Sequence, residues 1–369
     1  MKTSLFAGLA CAAAGLLLLT GQALAADAAS APPVPADPVK VGFVYVGPVG
    51  DHGWSYQHDQ GRKAVEAHFG DAVATAFVEN VAEGADAERV ITQFAQQGYD
   101  LVFTTSFGFM NPTVKAAKRF PKVTFEHATG YKRAANLSTY MARFYEGRAV
   151  IGHIAGHMTT SGVIGYIAPF PIPEVVRGID AFTIALRKVA PDAEVKVIWV
   201  NSWYDPGKER EAAETLVAQG ADILVQHTDS PAPIQVAEEK GVYAFGQASD
   251  MTAFGPRAHL TAIVDHWSDY YIAEVQAVLD GTWTSHDTWG GFKDDMVHLA
   301  PLNDAIPEDV KASALALRDA IAAGEVHPFA GPLRNQAGDV VVPEGETLSD
   351  DKLLSLDWYV EGVQGRLPQ

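Results

Sequence analysis

Twice in this chain a helical pattern stops at Gln-Gly-x-Asp just ahead of a buried apolar run. The two copies are Gln97-Gly98-Tyr99-Asp100, followed by Leu101–Thr104, and Gln219-Gly220-Ala221-Asp222, followed by Ile223–Gln226. A glycine at that place ends a helix, and the short apolar run behind it reads as a strand. The same rhythm surrounds each copy. In the first half the strands are expected at Val41–Val46, Val73–Val78, Leu101–Thr104 and Val123–Glu126, with helices through Ala64 and Val65, over Ala85–Gln97 and over Pro112–Arg119. In the second half strands at Val163–Ile167, Val195–Val200, Ile223–Gln226 and Tyr243–Phe245 alternate with helices at Val175–Val189, Lys208–Gln219 and Pro231–Glu239. Strands alternating with helices of 10–15 residues imply parallel α/β sheets. Two similar α/β lobes with a cleft between them follow.

The halves are joined by a long connection through Tyr140 and Phe144 and a small-residue helix, Arg148–Met158. From Leu260 the pattern changes. A strand (Leu260–Val264) and a helix (Asp269–Leu279) lead to a Trp/Gly-rich turn around Trp283, Trp289, Gly290 and Gly291. Then come a strand (Val297–Leu299), a helix (Pro307–Ala323), a hairpin around Asn335–Gly338 and a last helix near Leu353–Val360. These elements are expected to cross back between lobes. Lobe 1 is therefore read as 39–147 plus 265–295, and lobe 2 with a C-terminal cap as 148–264 plus 296–369.

The first 25 residues read as a secretory signal: Lys2, an apolar stretch Leu5–Leu19, and Ala23-Leu24-Ala25 before the expected cut. Residues 26–38 (ADAASAPPVPADP) read as a disordered leader. Cys11 is the single cysteine, so the mature protein is expected to carry no thiol and to hold together by core burial alone. The net charge of −18 argues against nucleic acid and anionic membrane surfaces as partners. A monomer in the periplasm is expected.

The loop after the first strand carries Gly47, Gly50 and Gly53, but in neither the GxGxxG nor the GxxxxGK[ST] arrangement, and no lysine opens the helix. What it does carry is Asp51, Trp54 and Ser55. A second large aromatic, Trp203, follows a strand of the second half. Facing each other across a cleft, two such rings would sandwich a flat heterocycle, and offset stacking adds about 0.5–1.5 kcal/mol beyond burial. Asp51, Ser106, Asn201, Asp229 and Asp250 lie in loops just after expected strands and offer hydrogen bonds to a ring edge. Phe107 and Phe170 are wall or core residues.

Each has a plainer reading: either Trp can simply pack, Asp229-Ser230-Pro231 and Asp250 have the form of a helix start and a turn, and Asp205-Pro206 reads as a helix cap. Glu174 and Arg177, three apart, read as a helix-surface pair. His153 and His157 share a helix face, but Ile154 stands where the zincin pattern needs Glu, and no metal or cofactor is expected. No G-x-S-x-G elbow is present. An enzyme is not expected.

In order along the chain, several motifs resemble the basic membrane protein family of ABC-transporter substrate-binding proteins, which includes purine nucleoside receptors. They are Gly47–Gly61, Phe144-Tyr145-Glu146-Gly147 with Gly152, GVIGYIAPF (162–170) with Arg177-Gly178, NSWYDP (201–206), GQASD (246–250), FAGPLRNQAGDVVVP and Leu356-Asp357-Trp358. The resemblance spans Val39 to Pro368. It implies a periplasmic-binding-protein type I fold that closes on its ligand and delivers it to a membrane permease. It further implies that Trp54 and an aromatic near Trp203 stack on a purine, and that the acid at Asp250 holds ribose hydroxyls. Two departures stand out. Trp54-Ser55 replaces the family's usual Phe-Asn, and Asp265-His266-Trp267 stands where a sugar-directed lysine is usual. A free base such as adenine is therefore expected over a nucleoside. The alternatives are another planar solute (a flavin or an aromatic signal molecule), an exported nucleoside hydrolase, and a sensor that hands its bound state to a receptor kinase.

Overall fold

A computed structural model describes residues 37–50 and 52–368; the expected signal segment, nearly all of the leader, and Asp51 lie outside the described residues. The first half contains β1 (Val39–Val44), α1 (Trp54–Phe69), β2 (Val73–Val78), α2 (Ala85–Gln96), β3 (Leu101–Thr104), α3 (Met110–Arg119), β4 (Thr124–Ala128) and β5 (Leu137–Ala142). The second contains α4 (Phe144–Met158), β6 (Val163–Ala168), α5 (Pro173–Val189), β7 (Glu194–Trp199), α6 (Pro206–Ala218), β8 (Ile223–Gln226), α7 (Ala232–Lys240), β9 (Tyr243–Gly246) and β10 (His259–Asp265). The remainder is α8 (Ser268–Leu279), β11 (Asp287–Gly290), β12 (Val297–Leu299), α9 (Glu308–Ala322), β13 (Leu333–Arg334), β14 (Val340–Val342), α10 (Asp350–Leu354) and β15 (Val363–Gln364).

Two sheets result, and their orders match. The first runs β2-β1-β3-β4-β5-β11 and the second β15-β7-β6-β8-β9-β10-β12. Within these two sheets all pairings are parallel except β10 with β12, and β13 and β14 form a separate antiparallel pair. The mixed α/β class read from the alternation is the one observed. The two Gln-Gly-x-Asp copies do the same work in each sheet. Gly98 and Gly220 turn at φ 74° and 96°. The Asp100 carboxylate then accepts the backbone N–H of Lys40 at the start of β1 (2.9 Å), and Asp222 accepts those of Thr160 and Ser161 just ahead of β6 (2.6 and 2.8 Å).

Three strands, β5, β11 and β15, lie outside the expected pattern. Residues 137–142 (LSTYMA), part of the expected connection, form β5, and all six are buried. Polar Ser138 and Thr139 are accommodated there by partners on the adjoining chain: Ser138 Oγ accepts from His286 N, and Thr139 Oγ1 donates to Asp287 Oδ1. Those partners belong to the Trp/Gly segment, which was read as a turn and forms β11 at the edge of the first sheet. Helix α4 begins at Phe144 rather than Arg148, and α10 is a short turn at 350–354 rather than a helix to Val360. Chain 266–286 leaves the second sheet after β10, lays α8 against α1, and enters the first sheet at β11; β12 then returns to β10. Among the described residues no helix is long and apolar enough to cross a membrane.

Candidate ligand-binding site

In a strand order of 2-1-3 the loops after the two central strands diverge, which opens a crevice at the carboxyl edge of the sheet. Both sheets have such a switch point, between β1 and β3 and between β6 and β8. A narrow cavity lies there, lined by Val46, Trp54, Ser106, Phe107, Thr129, Glu174, Trp203, His227, Asp229 and Gln247. The lining is supplied by loops that follow β1, β3, β4, β7, β8 and β9 and by the first turns of α1 and α5. Its shape is thus a property of parallel strands delivering their C-terminal ends to one place.

Trp54 is the first residue of α1 rather than a loop residue. Its Nε1–H donates to the Thr105 carbonyl (2.6 Å), and its ring meets His58, Phe144 and Trp267 edge-on. Trp203 Nε1–H donates to Glu83 Oε1 (3.1 Å), and its ring tilts against Phe170, centroids 5.3 Å apart. Both indole N–H groups are committed to protein acceptors. Ring faces are what the two side chains offer to a cavity occupant.

The polar lining is buried and only partly paired. Glu174 Oε1 lies 3.6 Å from His227 Nε2, while Glu174 Oε2 and His227 Nδ1 have no partner among the described residues. Burial drives the His227 pKa to about 4 against the pull of Glu174, so the imidazole is neutral at neutral pH. The Asp229 carboxyl is pushed well above the usual range by burial, then by the charges of Glu209 and Glu174; the Trp54 backbone N–H opposes this. Arg148 is fully buried. It donates Nη1–H to the Gln226 carbonyl (2.9 Å) and Nη2–H to Gln247 Oε1. With its oxygen taken, Gln247 has its amide N–H₂ left for the cavity. Asp265, also fully buried, leaves both carboxyl oxygens unpartnered, and burial followed by the charges of Glu174 and Asp229 raises it well above an ordinary aspartate. Buried polar atoms are nearly always paired in proteins. Two such orphans in the cavity wall, Glu174 Oε2 and His227 Nδ1, fit an occupant with donors and acceptors along an edge.

Of the residues singled out from sequence, Trp54, Ser106, Phe107, Trp203 and Asp229 line this cavity. Asn201 and Phe170 line an adjoining groove with Trp203 and Glu83. Ser55 does not reach the cavity lining: its Oγ accepts the Gly47 N–H (3.0 Å) and shapes the loop. Asp250 is exposed, and its carboxylate accepts from the Thr252 N–H and hydroxyl (2.9 and 2.6 Å), which is the turn reading. Asp205 caps α6 by accepting the Lys208 N–H, as expected. Asp229 does not cap α7; the Ala232 N–H at the start of that helix donates to Ser230 Oγ (3.3 Å). Glu174 and Arg177 are not a surface pair. Helix α5 is buried over nearly its whole circumference, and Arg177 reaches the Met141 sulfur (3.0 Å) and the face of Trp289 (5.1 Å). The run VVRGIDAFTIAL, apolar on most sides, was the signal for such a helix. His227 and Gln247 were missed although each directly follows a buried strand.

Two α/β halves with a partly orphaned polar cavity at their switch points have the build of a solute-binding protein. The family described as ABC transporter substrate-binding protein, PnrA-like, matches residues 38–327, and the chain belongs to it. It is 56% identical over 331 residues to a purine-binding protein of Brucella abortus, covering 90% of this chain and 94% of that one. It is 37% identical over 337 residues to a Haloferax volcanii protein provisionally named as an ABC transporter glucose-binding protein, covering 91% and 83%. A solute-binding protein of an ABC transporter system from Aeropyrum pernix shares the fold, with a TM-score of 0.69 at 18% identity over 80% of this chain and 94% of that one.

Proposed function

We propose that this protein is the periplasmic receptor of an ABC importer for purines, binding a free base such as adenine in preference to a nucleoside. Residues 39–147 with 265–295, and 148–264 with 296–369, act as the lobes that close on the ligand, and the closed form is presented to the membrane permease. The chain is exported as a precursor cut after Ala25 and works as a monomer. The observation that carries this reading is the cavity, which is lined by Trp54, Trp203 and Gln247 together with the orphaned Glu174 Oε2. A purine has two π-faces for the rings and an edge of mixed donors and acceptors for the carboxylate and amide. The purine-binding name of the Brucella relative supports the same class.

One feature favours a base over a nucleoside. Asp265, at the place of the expected sugar-directed lysine, is a buried acid rather than an ammonium. Calorimetry with adenine, guanine, hypoxanthine, their nucleosides and glucose tests the proposal. Saturable one-to-one binding, tightest for a base, is expected. A nucleoside tenfold tighter than every base overturns the base preference, and glucose binding alone overturns the purine reading.

A further inference from the structure

We infer that His266, Asp295 and His298 form a binding site for a divalent transition-metal ion where the chain crosses between the two sheets. One crossing leaves β10 at Asp265 and the other enters β12 at Val297; the His266 N–H donates to the Met296 carbonyl (3.1 Å) and ties them together. On this tie His298 Nε2 lies 2.7 Å from Asp295 Oδ1, and His266 Nδ1 lies 3.3 Å from Asp295 Oδ2. The three ligand atoms are within 4.8 Å of one another, and the imidazole centroids are 4.7 Å apart. An ion bound at about 2.0–2.2 Å from each donor sets ligand atoms roughly 3–3.5 Å apart, so small side-chain rotations complete the shell. Such rotations are open to these residues, whose side chains are 27%, 62% and 41% exposed in chain order.

The donor set selects the ion. Two imidazoles and one carboxylate suit Zn²⁺, Ni²⁺ or Co²⁺, whereas Mg²⁺ and Ca²⁺ favour oxygen shells. None of the three residues lines the ligand cavity, so the site is separate from it. A metal here cross-links two of the strands' crossings and would stiffen the path along which the sheets move against each other. The plain alternative is a cluster of hydrogen-bonded surface side chains that binds no metal.

Calorimetric titration of chelator-treated protein with Zn²⁺ alone decides between them. Wild type is expected to bind one equivalent, with Mg²⁺ in large excess failing to compete and the melting temperature rising. Asp295→Asn and His298→Ala should each weaken binding tenfold or more and abolish the rise in melting temperature. His153→Ala is the control, because His153 and His157 form a second ring pair 4.8 Å apart on α4, and it should bind as wild type does. Equal Zn²⁺ affinity in wild type, Asp295→Asn and His298→Ala overturns the proposal, as does displacement of Zn²⁺ by Mg²⁺. Loss of binding in His153→Ala alone moves the site to α4. Because Asp295 and His298 are the more exposed ligands, these two variants decide even if His266→Ala fails to fold.

Discussion

The indole Nε1–H of Trp203 donates to Oε1 of Glu83 across 3.1 Å, from the loop after β7 in the second sheet to the loop after β2 in the first. Glu83 Oε1 also accepts the Ser106 hydroxyl (2.6 Å) and the Gly108 N–H (3.0 Å). One exposed carboxylate therefore gathers three donors at the cavity mouth. Glu83→Ala should loosen the two halves there. A hydrogen bond to a charged group contributes about 1.5–3 kcal/mol, and solvent exposure reduces this to about 1 kcal/mol, or about fivefold in affinity. Adenine titrations of wild type and variant check it; unchanged affinity would mean the contact does not hold the bound form.

Trp203 rests on Phe170 at the cavity wall and is only half-buried, so its removal should spare the fold. Trp203→Ala is expected to weaken purine binding by about tenfold or more, since stacking on an aromatic face contributes about 1–3 kcal/mol per base. Trp203→Phe should keep most of the affinity, because the indole N–H serves Glu83 rather than the ligand. Quenching of tryptophan fluorescence on titration reads both.

Gly53 marks a close approach of the halves. Its φ is 91°, its N–H donates to Ser249 Oγ (2.7 Å), and a Cβ placed there would sit 2.3 Å from the Asp229 carbonyl oxygen. Gly53→Ala combines a left-handed backbone penalty of about 1–2 kcal/mol with a clash that exists only while the halves are together. Ligand affinity should fall at least tenfold with an unaltered far-ultraviolet circular dichroism spectrum. Wild-type affinity would show that binding does not need this approach.

His127 is buried at the end of β4, with Nδ1 on Thr104 Oγ1 (2.9 Å) and Nε2 unpartnered. Burial lowers its pKa to about 3. In the unfolded chain a histidine titrates near 6.5, so below that pH the unfolded state binds the extra proton and stability is lost as pH falls toward 3. Between pH 8 and pH 5 this one residue removes about 2 kcal/mol of stability. His127→Asn, which can still accept from Thr104, should lack that loss. Urea unfolding at the two pH values measures the difference, and parallel decline in both proteins would refute it.

What the sequence determined by itself was local and periodic. The strand–helix alternation, the two Gln-Gly-x-Asp stops, the Asp205 cap and the placement of Trp54 and Trp203 near strand ends all depend on neighbours within a few residues, where spacing and turn chemistry act directly. Tertiary structure decided the rest. LSTYMA became a strand only because β4 and β11 flank it and supply partners for Ser138 and Thr139. Glu174 became a cavity residue because α5 is enclosed on nearly every side, which a three-residue spacing cannot reveal. His227 and Gln247 met Glu174 and Arg148 only when two parallel sheets brought the ends of β8 and β9 to the mouth of one crevice. The sequence separates these residues by 20 to 99 positions. Their chemistry depends on shared burial, a property of the folded chain that no short window of residues contains.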